Sequence, residues 1–260
     1  MDLSNATGDE AVKVTTLGTS HGDPTYCRFN TSTLLEVEDY GAVLIDAGTP
    51  VLAMLIRQQI PLDQLRAVFI THMHQDHFGG LPDILKYVVK RLDPAYRIKI
   101  FLPEVEAMET VYAFTELAHR KIDRKMFEVV PLIPGQGVLA ENLTFEAVAT
   151  DHFSNENLHF PSFALQFYNN DKSVLFTGDL ARDLHDFPRG RTADMVCCEL
   201  THFHLENLLP IVQNEKFGKL VFNHVGNPWH GNAAEKKFYA MTGDLPYAVH
   251  LAHDGDVFEV

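Results

Sequence analysis

This sequence predicts an α/β protein, and three observations carry that expectation. Apolar runs of strand length recur along the 260 residues, segments with helical apolar spacing alternate with them, and several of the strand-like runs end in His or Asp. The third observation also bears on function, because residues that do chemistry usually sit on loops held by a rigid scaffold. A hydrophobic content of 46% fills a sizeable core at this length, so the chain reads as one domain, 1–260.

Residues 12–17 form the first strand. A Gly-rich loop follows, then strands over 32–37 and 43–45, the second ending in Asp46-Ala47-Gly48. The apolar run 67–70 is the next strand and stops at Thr71. Directly behind it stands His72-Met73-His74-Gln75-Asp76-His77, which places three imidazoles and a carboxylate in six positions of a chain with 14 His. Neutral imidazole nitrogens and carboxylate oxygens are the donors that Zn²⁺, Mn²⁺ or Fe²⁺ accept. His72 and His74 alternate and can face one ion, whereas Asp76 and His77 follow after the chain has turned and can face a second. A surface loop rich in His with no ligand role is the plain alternative, and it requires the cluster to be accidental.

Over 81–90, Leu81, Ile84, Leu85, Val88 and Val89 share one helical face. A strand follows over 97–102, then a second helix over 104–121. Pro131-Leu132-Ile133-Pro134-Gly135 interrupts the chain before a strand over 143–148. The helix-rich stretch within 103–130 is a candidate lid, with ordinary packing as the alternative. Three later runs end as the first one does, in Asp151-His152, in Gly178-Asp179 and in Asn223-His224. Helices over 205–212 and 233–241 and strands over 248–251 and 256–260 complete the chain.

The formal charge of −14 disfavours long nucleic acid as a partner, since Lys and Arg supply most non-specific affinity for phosphate. Lys86, Lys90, Arg91, Arg97, Lys99, Arg120, Lys121, Arg124 and Lys125 do concentrate base in one third of the chain. Solvated helix faces account for such a run as well as a binding patch does. Three cysteines, two of them the neighbours Cys197 and Cys198, read as reduced thiols rather than a disulfide framework. No apolar run is long enough to span a membrane, and the first residues lack the basic and apolar regions of a signal peptide, so the expected location is cytoplasmic. A homodimer is left open.

Leu17-Gly18-Thr19-Ser20-His21-Gly22-Asp23-Pro24, with Arg28 and Asn30 beyond it, resembles the opening of ribonuclease Z and its smaller phosphodiesterase relatives in the metallo-β-lactamase superfamily. Leu44-Ile45-Asp46-Ala47-Gly48 and residues 71–77 are similar to the next two superfamily motifs, and the second of these is the specific one. The resemblance covers essentially the whole chain. It implies an αββα four-layer sandwich with two mixed sheets face to face, helices outside and all ligands at one edge. It further implies that His72, His74 and His152 hold one metal, that Asp76, His77 and His224 hold another, and that Asp179 bridges them. The cofactors implied are two divalent transition-metal ions, zinc first, with manganese or iron as alternatives. A hydroxide held between them would attack phosphorus in line, and Asp76 counts among the catalytic residues.

Two departures from superfamily patterns narrow the branch. Thr150-Asp151-His152-Phe153-Ser154 replaces the Pro-Gly-His-Thr-like turn of the lactamase and glyoxalase II branches, which favours the phosphodiesterase side. Only 26 residues separate His152 from Asp179, too few for the tRNA-clamping arm that bacterial ribonuclease Z inserts there. His74 and Gln75 also count against the di-iron redox branch, which typically has Glu where His74 stands. Cys198-Glu199-Leu200-Thr201-His202-Phe203-His204 resembles an element in which Glu orients a non-ligand His near the scissile bond. Glu199 and His202 take those roles, with His204 as the fallback acid and helix capping as the alternative for both His.

The expected activity is a di-metal hydrolase, a phosphodiesterase acting on a small or cyclic phosphodiester. A lactone or amide hydrolase on the same metals is the alternative, and a catalytically idle metal-binding or interaction module is the alternative of another class. Arg28, Arg182, Arg189 and Arg191 are candidates to grip a distal phosphate. His21, His119, His159, His185, His230, His250 and His253 read as surface or structural, with His21 and His253 the most open.

Overall fold

The computed structural model describes residues 12–117 and 121–260. In the first sheet, β1 (Val12–Gly18), β2 (Ser32–Val37) and β3 (Gly41–Ile45) are antiparallel neighbours. From β3 the sheet continues in parallel through β4 (Leu65–Phe69), β5 (Ile98–Leu102) and β6 (Phe127–Pro131). The second sheet repeats that plan. There, β7 (Gly135–Ala140), β8 (Leu143–Thr150), β9 (Ser162–Asn169) and β10 (Lys172–Phe176) are antiparallel, and β11 (Thr192–Leu200), β12 (Lys216–Val225) and β13 (Ala248–Leu251) follow in parallel. Last, β14 (Asp256–Glu259) returns to the first sheet beside β1, giving two sheets of seven strands each.

Strand periodicity explains how one sequence fills three apolar layers. Side chains alternate across a strand, so Ala67 and Phe69 face the second sheet while Val68 and Ile70 face the helices. On the outer side of the first sheet lie α1 (Val51–Arg57), α3 (Leu81–Arg91) and α4 (Ala107–Glu116), with the one-turn α2 (Gln75–Phe78) between the first two. On the outer side of the second sheet lie α5 (Leu205–Val212) and α6 (Asn232–Thr242). Both faces of the central strands are therefore covered, which is why those strands read as continuous apolar runs. Phe69 joins the sheets at the centre, with ring centroids 4.1 Å from Phe101, 4.8 Å from Phe145 and 5.2 Å from Phe167. The αββα sandwich of the metallo-β-lactamase type is present.

Cys197 faces the inter-sheet layer and Cys198 the outer one, so the two thiols point apart, and burial pushes both well above the ordinary thiol range.

One expected boundary changes. The second helix, expected over 104–121, spans Ala107–Glu116; His119 and Arg120 lie outside the described residues. Its Met108, Val111, Tyr112 and Thr115 are buried in the outer core, and the chain then enters β6. The described part of this stretch thus holds a packed helix and the edge strand β6. Strands β6 and β7 were hidden by Pro131, Pro134, Gly135 and Gly137, which punctuate a sequence but are tolerated at sheet edges. The local basic residues are partly paired on helix surfaces, Lys86 with Asp83 at 2.6 Å and Arg124 with Glu109 at 2.9 Å. Among the described residues no helix is long and apolar enough to cross a membrane.

Candidate metal centre

Five strand ends of the sandwich converge on one edge. At the end of β4 the chain turns, so that His72 and His74 precede α2 while Asp76 and His77 lie on it. His152 follows β8, Asp179 follows β10, His202 follows β11, and His224 sits near the end of β12.

His224 reaches the edge through a local irregularity. Glu199 pairs with Asn223 and Leu200 with Val225, so His224 is an extra residue in β12, and its φ is 47°. Such a bulge re-aims a side chain. Asn223 holds the bulge by accepting the His224 backbone N–H at 2.8 Å and donating to Thr33 Oγ1 of the opposite sheet at 3.0 Å.

Three groups of donors form. In the first, His74 Nδ1 lies 3.1 Å from both His72 Nε2 and His152 Nε2, and Asp179 Oδ2 lies 3.6 Å and 3.8 Å from those two nitrogens. In the second, His224 Nε2 lies 3.1 Å from Asp76 Oδ2, and His77 Nε2 lies 3.5 Å from the same oxygen. Asp179 Oδ2 also lies 3.4 Å from His77 Nε2 and 3.7 Å from His224 Nε2, so it faces both groups. The third group joins Asp179 and His224 to Glu199 and His202.

These donors fit a divalent transition metal. Four ligands at zinc–nitrogen distances of 2.0–2.1 Å around a tetrahedral ion stand about 3.3 Å from one another, close to the spacings above. His77 Nε2 supplies an independent test, because it is buried without a hydrogen-bond partner although two carboxylates face it. A buried nitrogen left so is costly unless something accepts its lone pair.

The charge states of the donors, His77 excepted, agree with ligation. Burial, with neighbouring imidazoles, holds His72 well below the ordinary imidazole range, and burial lowers His74 and His152 too. Neutral rings offer lone pairs. Burial would raise Asp179, but His224, His77, His202 and His72 outweigh it and keep the carboxyl well below its usual range. For Asp76 burial is again outweighed, by His224 and His77, and the pKa falls to about 2. His77 goes the other way: burial opposes its charge, yet Asp179 and Asp46 hold it well above the ordinary value.

The ligand side chains have their own supports. Asp46, at φ 59°, accepts from His77 Nδ1 and from the Thr71 backbone N–H, both at 2.8 Å. Ala47 N–H donates to His77 O at 2.6 Å, and a Cβ at Gly48 would lie 2.2 Å from Asp76 O. The Asp46-Ala47-Gly48 turn thus seats α2 and fixes which nitrogen of His77 is free. Sequence reading noted this motif but gave Asp46 and Thr71 no role in the site.

Glu199 is buried and holds two parts of the edge at once. Its Oε1 accepts the Leu180 N–H at 2.7 Å, next to Asp179, and its Oε2 accepts from His202 N at 3.0 Å and His202 Nδ1 at 2.8 Å. Burial would lower His202, but Glu199 and Asp179 raise it to about 9. His204, by contrast, is exposed at the N-terminus of α5 and makes no side-chain capping bond. His21 bonds Asn227 and His253 bonds Glu235, each outside the donor groups. Two candidate phosphate grips are engaged elsewhere: Arg28 is buried against Thr19 and Ala252, and Arg191 is paired with Glu146 and Gln166.

Comparison with known proteins bears on the family and the fold. Ribonuclease Z of Synechococcus sp. (strain CC9902) is 41% identical over 75 residues, which are 28% of this chain and 24% of that protein, so the match spans about a quarter of the relative's length. The metallo-beta-lactamase fold protein YhfI from Bacillus subtilis superposes with a TM-score of 0.75 at 20% identity, covering 96% of this chain and all of that one. The short form of human tRNase Z gives 0.70 at 20% identity, over 95% and 98% of the two chains. The model of the family described as Anti-Pycsar protein Apyc1 matches residues 12–242. The chain therefore belongs to the Anti-Pycsar protein Apyc1 family, on the ribonuclease Z-like side of the metallo-β-lactamase superfamily.

Proposed function

We propose that this protein is a metal-dependent phosphodiesterase acting on a small or cyclic phosphodiester. His72, His74 and His152 would hold one ion and Asp76, His77 and His224 a second, with Asp179 between them, and zinc is the first choice for the donor set. When bound, divalent ions supply positive charge that polarises a phosphoryl oxygen and makes coordinated water more acidic.

The observation that carries the phosphodiester reading is the Glu199–His202 pair. Glu199 occupies His202 Nδ1, so Nε2 is the nitrogen left to pass a proton, and the Glu199 carboxylate favours the protonated ring. A charged imidazole beside Asp179 suits the departure of a poor alkoxide, a general-acid contribution of about 10²–10⁴. Asp179, ionised and central, draws His202 towards the donor groups, its Oδ2 lying 3.7 Å from His202 Nδ1. The acidic chain and the short segment between His152 and Asp179 support a small substrate over a long nucleic acid.

The test is turnover by the metal-loaded protein of a panel of phosphodiesters beside a lactone panel. Phosphodiester hydrolysis that disappears with chelator and returns with Zn²⁺ or Mn²⁺ is expected. Lactone turnover with none on phosphodiesters would replace this reading.

A further inference from the structure

Each donor group is split between the two sheets. His72, His74, Asp76 and His77 follow β4 of the first sheet, whereas His152, Asp179 and His224 follow or end strands of the second. The spacing of donors across an ion is therefore set by what ties the sheets together at this edge. Beside the first group the tie is backbone, Phe163 N–H donating to Thr71 O at 3.1 Å, next to His72. Beside the second group two ties meet: Val225 N–H donates to Thr19 O at 2.7 Å, and the Asn223 carboxamide donates to Thr33 Oγ1 at 3.0 Å.

The side-chain tie acts on the bulge that carries His224. Along β12, Leu220 and Phe222 face the outer layer and Val221 the inter-sheet layer, so strict alternation points Asn223 inward and position 224 outward. The extra residue changes this, because Val225 takes the outer position and the His224 ring is free to turn to the edge. It does so at φ 47°, a left-handed backbone that a residue with a Cβ keeps only where its surroundings hold it. Asn223 Oδ1 holds it from one side, accepting the His224 N–H at 2.8 Å, and Thr201 Oγ1 from the other, donating to His224 O. The Asn223 Nδ2 spans the gap between the sheets to Thr33 of β2 and stands 3.5 Å from Thr31 Oγ1. Thr31, Thr33 and Asn223 are all buried. Thr33, Asn223 and His224 also wall the inter-sheet cavity that reaches Asp46 and His77. Space without atoms supplies no packing to fix a distance, so directional bonds fix it here.

Resting on the two-ion assignment, we propose that Thr33 and Asn223 are positioning residues for the second metal: their bond across the sheets holds the His224 bulge at the reach from Asp76 and His77 that one ion needs. His224 Nε2 stands 3.1 Å from Asp76 Oδ2, the separation of two ligands on one tetrahedral ion. Neither positioning residue is itself a donor to the ion. Their effect is confined to the ion that takes His224, and the ion at His72, His74 and His152 is indifferent to it.

Metal binding tests this without reference to turnover. Metal-free protein is titrated with Co²⁺ against a chromogenic chelator, and the cobalt absorption spectrum is recorded at each step. With Asp179 counted in both, the first donor group offers three imidazoles and one carboxylate and the second two of each, so the two steps differ in spectrum. His152→Ala and His224→Ala mark which step belongs to which group. Thr33→Val keeps the side-chain shape and removes the hydroxyl. It is expected to weaken the His224 step by roughly 10–100-fold, the usual cost of losing an outer partner of a ligating His, and to leave the other step unchanged. Thr33→Ser, which keeps the hydroxyl, should restore the step. Circular dichroism of the metal-free variants checks the fold, and Thr33→Ala, which sets no methyl against the amide, gives the same reading if Thr33→Val does not fold. Equal weakening of both steps, or a Thr33→Ser variant as weak as Thr33→Val, would reduce the bond to general stability and overturn the proposal. Two ions with neither step moved by Thr33→Val would overturn it and leave the two-ion assignment intact, whereas a wild type that takes up one ion, kept in His224→Ala, would overturn both.

Discussion

Asp46 Oδ2 lies 2.8 Å from His77 Nδ1, and this contact leaves His77 Nε2 as the nitrogen facing Asp76 and Asp179. The carboxylate thus selects the tautomer that can ligate a metal, from the turn that follows the neighbouring strand β3.

Asp46→Asn should therefore lower metal affinity by about 10–100-fold, the usual cost of losing a carboxylate behind a ligating His. Competition with a chromogenic chelator reads this directly, with circular dichroism as the check on folding. Unchanged affinity in a folded variant would remove Asp46 from the metal site.

Asp179→Ala should abolish hydrolysis and reduce the bound metal of both donor groups, because Asp179 Oδ2 faces His72 and His152 on one side and His77 and His224 on the other. His152→Ala should weaken chiefly the first group. Metal content by elemental analysis separates the two variants, and full occupancy in Asp179→Ala would refute the bridging role.

Metal uptake at neutral pH should release protons. His77 is held well above the ordinary imidazole range in the metal-free protein, so a proton must leave it before the ring can ligate, and affinity should rise as pH rises through its pKa. Titrations in buffers of different ionisation enthalpy count the protons. In the same samples bound metal should raise Tm, since at about 100 times Kd a ligand specific to the folded state adds about 2.7 kcal/mol. No proton release would mean that His77 is not a ligand.

His202→Ala should retain metal and fold but lose roughly 10²–10⁴ in kcat on esters with poor alkoxide leaving groups. Nitrophenyl esters should suffer much less, because nitrophenolate departs without a proton. Glu199→Gln should follow the same pattern more mildly. His204→Ala should have little effect, as that ring is exposed at the start of α5. Equal losses on both ester types would point to positioning instead of acid catalysis.

Much of this protein was legible in its sequence because the relevant signals are local. Apolar runs of strand length such as 67–70, helical spacing over Leu81 to Val89, and a ligand run of six residues are each contained within a few positions of the chain. The strand ends carrying His152, Asp179 and His224 were legible one at a time, and the resemblance supplied their grouping. What the sequence could not decide depends on contacts between distant elements. Strands β6 and β7 are strands because a sheet edge tolerates the Pro and Gly that interrupt them locally. The α4 segment packs in the core because β4 and β5 present an apolar outer face to it. Only the tertiary structure put His202 and not His204 beside Asp179, since Glu199 captures the backbone and ring of the nearer His while the next turn begins a helix. Asp46 and Asn223 gained their places in the same way: each bonds a partner that the fold brings close, and such partners leave no periodic trace in the chain.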